Sequence, residues 1–187
     1  MGKTDTGKKE VDIAKCIQGD RKAQFDLYHA FSGAMYNTCL RMLQNRMDAE
    51  DALQNAFVRI FHHIQHLRGD ATLGAWIRQI VVRQCIDKLR ERNDKPGEIA
   101  FPEWSDSEVF GLVEETLTTH WNEKPSRIPE ILQAIAGLPD GYRTVLNLYL
   151  IEGYDHEEIA TILGITTATS KSQYSRAKQK LRQKLTS

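Results

Sequence analysis

The chain is poor in the features that mark most specialised protein classes. Cysteine occurs only three times in 187 residues, at Cys16, Cys39 and Cys85. An odd count, wide spacing and helical surroundings exclude a disulfide framework and predict reduced thiols. No apolar run approaches the roughly 18 residues that a membrane span needs. Residues 1–10 lack the apolar stretch of an export signal, so a cytoplasmic protein without direct membrane insertion is expected. There is no P-loop, no glycine-rich dinucleotide turn and no GxSxG elbow. Enzymatic chemistry, a cofactor and a small-molecule substrate are therefore not expected.

Hydrophobic residues at 41% and charged residues at 27% suit a soluble globular chain and argue against disorder or a collagen-like fibre. The length accommodates two small domains of about 70 to 90 residues each. Net charge is zero, yet the charges are unevenly spread. Residues 1–93 hold 15 basic against 11 acidic side chains, residues 94–130 hold 3 against 9, and residues 131–187 hold 7 against 5. Two mildly basic blocks thus flank an acidic connector. The last stretch carries Lys171, Arg176, Lys178, Lys180, Arg182 and Lys184 with no acid among them, which keeps a polyanionic partner in view.

Periodicity organises the chain into helices. Phe25, Tyr28, Phe31, Met35, Cys39 and Met42 or Leu43 recur at three- and four-residue steps, predicting a helix over residues 20–45 with Asp20 as its N-cap. A second helix is predicted from Asp48, with Ala49, Ala52, Leu53, Ala56, Phe57, Ile60, Phe61 and Ile64 on one face. After a break at residues 66–72, Leu73, Trp76, Ile77, Ile80, Val81, Cys85 and Leu89 predict a third helix, ending near Arg92. Residues 94–127 lose this order, gain Pro96, Pro102 and Pro125, and read as a linker, with a short acidic helix around residues 109–117. Beyond it, tight turns separate short helices. Asp155 and Glu158 have capping-box spacing, Gly164 ends that helix, and Thr166 can cap a last one bearing Tyr174, Ala177, Leu181 and Leu185. No strand-period segment competes, so the predicted class is all-α.

Three clusters could carry function. Residues 154–182 have a helix-turn-helix layout, in which Ala160 faces inward and allows close helix approach. The second helix offers Thr167, Thr169, Ser170, Lys171, Ser172, Gln173, Ser175 and Arg176, side chains suited to phosphates or base edges in a major groove. The bland alternative, a helical hairpin with a solvated face, explains less well a basic run without compensating acid. Asp48, Glu50 and Asp51, with Gln54 and Asn55 following, form an acidic first turn that is either a solvated, dipole-stabilised face or a docking surface for a basic partner. Trp76 with Arg68, Arg78, Arg83, Lys88, Arg90 and Arg92 is either a core tryptophan beside a solvated helix or an aromatic–cationic surface for single-stranded DNA. His62, His63 and His66 have helical spacing, but no completing shell is at hand, so no metal site is expected.

In order and separation, these blocks resemble the extracytoplasmic-function class of bacterial sigma factors in the sigma-70 family. The resemblance rests on Asp48-Ala49-Glu50-Asp51 with Gln54 and Phe57, on Trp76-Ile77-Arg78-Gln79-Ile80 with Ile86-Asp87-Lys88-Leu89-Arg90, and on residues from Leu138-Pro139-Asp140-Gly141 through Glu158-Ile159-Ala160 to Ser175-Arg176-Ala177-Lys178. It implies a non-enzymatic specificity subunit with core RNA polymerase, promoter DNA and an anti-sigma factor as partners. Residues 10–93 would be region 2, a helical bundle for polymerase binding, minus-ten recognition and melting. Residues 94–127 would be the acidic linker, and residues 128–187 would be region 4, a helix-turn-helix for the minus-thirty-five element. Asp48, Glu50, Asp51, Gln54 and Asn55 would meet polymerase. Arg68, Trp76, Arg78, Arg83, Gln84, Asp87 and Lys88 would meet the minus-ten DNA, where a base is extruded from the stack. The residues of the second helix, with Lys178 added, would meet the minus-thirty-five element.

Three positions depart from the family's common residues. Arg83 stands where Asn is frequent, Ser170 where Val is frequent, and Gln173 where Arg is frequent. Ser170 is expected to weaken helix packing slightly or to recruit a backbone hydrogen bond, and Gln173 could address adenine in place of guanine. Two rivals make different predictions. A self-sufficient helix-turn-helix regulator would bind DNA without polymerase, and a histidine-based metal or interaction protein would depend on zinc for stability.

Overall fold

The computed structural model describes residues 11–67, 72–92 and 128–186. Among these residues every regular element is helical, as the periodicity predicts. The linker expected over residues 94–127, with its short acidic helix, lies outside them. The chain divides into two compact units, Met1–Cys85 and Ile86–Ser187, and one helix spans the division.

The first unit opens with α1 (Ile13–Ile17), followed by α2 (Arg21–Leu43) and α3 (Arg46–His63). Asp20 caps α2 as expected, its carboxylate accepting from the Ala23 N–H at 2.8 Å. Gln44 ends α2 in the left-handed conformation (φ 51°) and donates its N–H to the Leu40 carbonyl. Asn45 then caps α3 at once, accepting from the Asp48 N–H at 3.2 Å. This places the start of α3 at Arg46, two residues before the predicted Asp48, because the cap is Asn45. A two-residue junction makes a helical hairpin. Tyr28 meets Phe57 edge-on at 4.7 Å and the Tyr36 hydroxyl reaches Glu50 at 3.5 Å. Eight residues up α2 thus match seven down α3, the register of an antiparallel pair.

The predicted apolar face of α3 is buried, from Ala49 through Ala52, Leu53, Ala56 and Phe57 to Ile60. A 3₁₀ turn, Ile64–His66, continues it and packs against α1 and α3. The pattern missed α1, since five residues hold too little periodicity to register. α4 (Leu73–Arg92) starts close to α2: a Cβ at Gly74 would meet Phe31 at 3.4 Å. Trp76, Ile77, Ile80, Val81, Val82, Gln84, Cys85, Ile86 and Leu89 are all buried along α4. Cys16, Cys39 and Cys85 are free, buried thiols, and burial pushes the Cys16 thiol up from its ordinary pKa.

The second unit holds α5 (Ile128–Ala136), α6 (Asp140–Leu150), α7 (His156–Leu163) and α8 (Thr167–Thr186). α8 packs on each of the other three. Its inward side reads Ser170, Tyr174, Ala177 and Leu181, spaced at helical intervals, and meets Ile135, Leu138 and Leu146. The α5–α6 turn is closed by Arg143, whose buried guanidinium donates to the Ala136 carbonyl at 3.3 Å and the Leu138 carbonyl at 2.6 Å and pairs with Asp140. The predicted capping box is formed. Asp155 accepts from the Glu157 and Glu158 N–H groups, and Glu158 accepts from the Asp155 N–H at 2.8 Å. Gly164 ends α7 with φ 67°, a value a side chain would strain. Thr166 then caps α8 by accepting from the Thr169 N–H at 3.0 Å.

Candidate partner and nucleic-acid interfaces

Along α3 the burial of one apolar side fixes what the other side presents. Glu50, Asp51, Gln54 and Asn55 are exposed and Asp48 is half-buried. At about 100° per residue, Asp51, Gln54 and Asn55 fall on one stripe, with Asp48 and Glu50 at its two edges. Glu50 is already engaged: the Arg46 Nε donates to it at 3.0 Å, a bond that raises the Arg46 pKa, and Tyr36 approaches the same oxygen. Two apolar residues extend the stripe, Met47 at 79% exposure and Val58 at 56%. Neither belongs to the acidic first turn that marks this helix in the sequence. The signal was present in their spacing, four residues before and seven after Asp51, at positions where the core pattern has no use for an apolar side chain.

On α4 the expected residues do not form one surface. Arg68 lies outside the described residues. Of the residues expected at the minus-ten DNA, Trp76 is 3% exposed and Gln84 7%, so both lie in the core of this fold. Trp76 lies on the apolar stripe that predicted the helix, and Gln84 is buried because the α4 burial extends beyond that stripe, to Val82 and Ile86 as well. Arg78, Arg83, Asp87 and Lys88 are half-buried. Arg78 stands about 200° round the helix from Trp76, while Arg83 and Asp87 are on the Trp76 side. Asp87 pairs with Arg90 and Lys88 with Glu91, both at 3.6 Å. Desolvation lowers the Arg90 pKa, against the pull of Asp87.

On α8 the outward side collects most of what the sequence proposed. Lys171, Ser172, Ser175, Arg176 and Lys178 are exposed, and Thr167, Thr169 and Gln173 are partly so. Arg182 continues the row one turn on. Thr169 shares a 2.8 Å hydrogen bond with Thr166, and the Gln173 amide lies over the start of α6, where a Cβ at Gly141 would be 3.7 Å away. Lys178 sits over the Tyr174 ring at 4.6 Å. Ser170 differs from these. It is fully buried, and its hydroxyl shares a 2.9 Å hydrogen bond with the Nδ1 of His156, where a backbone bond is the expectation. Nothing in the spacing of single residues could pair these two, fourteen positions apart.

Among the described residues no three His, Cys, Asp or Glu side chains gather as a metal-binding group. The His63 and His66 rings lie tilted, 6.0 Å apart. No described helix is long and apolar enough to cross a membrane.

The chain is similar to known proteins over most of its length. The chain matches the families described as Sigma-70 region 2, over residues 27–94, and Sigma-70, region 4, over residues 128–181. The ECF RNA polymerase sigma factor SigW of Bacillus subtilis (strain 168) is 32% identical over 190 residues, covering 95% of this chain and 96% of that protein. The ECF RNA polymerase sigma factor SigM of the same organism is 28% identical over 161 residues, covering 84% and 91%. Among solved structures, the sigma factor RpoE bound to the anti-sigma factor NepR from Bartonella quintana shares the fold. Its TM-score is 0.56 at 22% identity, over 88% of this chain and 98% of that one. CnrH in complex with the cytosolic domain of CnrY gives 0.52 at 19%, over 92% and 94%.

Proposed function

This chain belongs to the ECF RNA polymerase sigma factors of the sigma-70 family, and from that premise we propose how its surfaces divide the work of starting transcription. Residues 10–93 hold core polymerase and open the minus-ten element, residues 94–127 are the acidic linker, and residues 128–187 read the minus-thirty-five element. The stripe Met47, Asp51, Gln54, Asn55 and Val58 on α3, edged by Asp48 and Glu50, docks on polymerase. Its polar centre selects a basic, hydrogen-bonding partner, while Met47 and Val58 supply apolar area to bury. Arg68, Arg78, Arg83, Asp87 and Lys88 hold the minus-ten strand. Trp76 and Gln84 support that region from within.

The observation that carries the reading is the outward face of α8, where Lys171, Ser172, Ser175, Arg176 and Lys178 stand opposite the buried stripe. A helix packed on one side and basic on the other is suited to a major groove. Phosphodiester chemistry is left to the polymerase, and the working place is the cytoplasm, where polymerase and promoter meet. An anti-sigma factor is the expected antagonist; the similar sigma factor RpoE is bound by one, NepR. Zero net charge gives the isolated chain little of the nonspecific phosphate attraction that drives free DNA-binding proteins. Promoter binding therefore depends on polymerase, which separates this reading from a self-sufficient regulator.

Reconstitution with core polymerase and run-off transcription test the proposal. Arg176→Ala should lower transcription from promoters that need the upstream element about tenfold, at unchanged polymerase affinity. Asp51→Lys should do the reverse, weakening assembly with core while leaving promoter preference intact. Tight, specific promoter binding by the chain alone would overturn the assignment, as would wild-type holoenzyme that starts RNA from no template.

A further inference from the structure

The reading of α8 as the promoter-reading helix, on which this inference rests, leaves one cluster of side chains unused. His156 is the first residue of α7, and Ser170 sits in the first turns of α8. Besides its 2.9 Å bond to Ser170, the imidazole stacks on Tyr149 of α6, with ring centroids 4.6 Å apart and planes 18° from parallel. It also meets Tyr174 of α8 edge-on at 5.5 Å, and Tyr149 and Tyr174 touch at 4.5 Å. One side chain thus joins three helices, two of its contacts being to α8.

The arrangement matters because it adds a directional hold to the apolar seat of α8. Ser170 and Ala177 are fully buried but small, while Tyr174 and Leu181 pack on the cluster of Ile135, Leu138 and Leu146. Apolar contact is non-directional, so this seat tolerates a small roll more readily than a hydrogen bond does. A hydrogen bond is directional, and this one acts beside Thr169 and Lys171. A roll of about 20° would carry a side-chain tip some 6 Å from the axis through roughly 2 Å, more than a base-edge hydrogen bond tolerates.

We propose that His156 is a positioning residue for promoter selectivity: its bond to Ser170 and its seat between Tyr149 and Tyr174 fix the rotation of α8, and so decide which bases of the upstream element that helix addresses. The partner class is unchanged, double-stranded promoter DNA. What is new is a determinant of preference that touches no DNA.

His156→Phe isolates the bond. A phenyl ring keeps the stack, and the freed Ser170 hydroxyl can turn to the Thr166 carbonyl of its own helix, which already receives the Ser170 N–H. No buried donor is then orphaned. Holoenzyme made with this full-length variant and with the wild type would each select from promoters randomised in the upstream element, and the melting of each free chain would be followed in parallel. The expected result is normal assembly with core but a changed ranking of elements. Discrimination between the preferred and the next element should fall about tenfold, or 1.4 kcal/mol. Ser170→Val should alter the ranking likewise, and the double variant should add little to either single change.

A packing role alone would lower melting and weaken all promoters alike, with the ranking preserved. An unchanged ranking in folded His156→Phe holoenzyme overturns the proposal. Should that variant fail to fold, Ser170→Ala, which removes the hydroxyl alone, decides by the same criterion. Wild-type holoenzyme that ranks no upstream element above another would instead defeat the assignment of α8 as the reader, a different failure with a different signature.

Discussion

The two units solve opposite packing problems. In the first, α3 buries a broad face of alanines, Leu53, Phe57 and Ile60 against its neighbours, and its outward stripe is free to carry Met47, Asp51, Gln54 and Val58. In the second, α8 needs most of its circumference for polar and basic residues, and only Ser170 and Ala177 are fully buried. A directional contact, His156 with Ser170, joins the apolar seat of α8, while Arg143 closes the α5–α6 turn and the Asp155–Glu158 capping box starts α7. A helix with a broad apolar face can be held by apolar area alone, whereas α8, polar over most of its circumference, adds a hydrogen bond to its apolar seat.

The contrast can be broken at its strongest point first. Leu27 is fully buried in α2, so Leu27→Ala should destabilise the first unit by about 3 kcal/mol. Amide hydrogen exchange would report this as faster exchange throughout α2 and α3 while the protected amides of α6 and α8 stay slow. Equal loss of protection in α6 and α8 would mean that the units do not keep separate cores. Next in size is Arg143→Ala, which leaves the buried Leu138 carbonyl and the part-buried Ala136 carbonyl without this donor. About 2 kcal/mol should be lost, seen as earlier urea unfolding of α5 to α8, although the substitution removes little apolar area. The smallest expected effect is that of Asp155→Ala, which undoes the capping box at the start of α7 for about 1 kcal/mol. It should lower the helical circular dichroism midpoint by a few degrees.

Much of this was legible without coordinates, for identifiable reasons. The caps at Asp20, Asp155 and Thr166 were readable because a cap and its target are two or three residues apart. The apolar face of α3 was readable because a helix repeats its geometry every turn. The start of α3 was misplaced by two residues because acidic side chains near a helix start resemble a cap, while the cap in use was Asn45. Met47 and Val58 went unnoticed because their importance is negative: the core does not need them, a fact that depends on where the core is. Trp76 illustrates the converse. Its neighbours Arg78 and Arg83 made a nucleic-acid surface plausible, yet the ring is buried, and only the packing of α4 decides between the two.

The sequence alone determined the class of elements, the order of the longer helices and the caps at Asp20, Asp155 and Thr166, since all these follow from contacts within a few residues along the chain. It also marked α8 as the bearer of the basic surface. Tertiary structure decided which polar residues that surface retains. Ser170 lies between Thr169 and Lys171 in the chain and is as polar as either, but folding carries it against His156, fourteen residues earlier. Sequence spacing encodes the angle at which a side chain leaves its own helix, and only the approach of a second helix determines whether water, nucleic acid or an imidazole is waiting there.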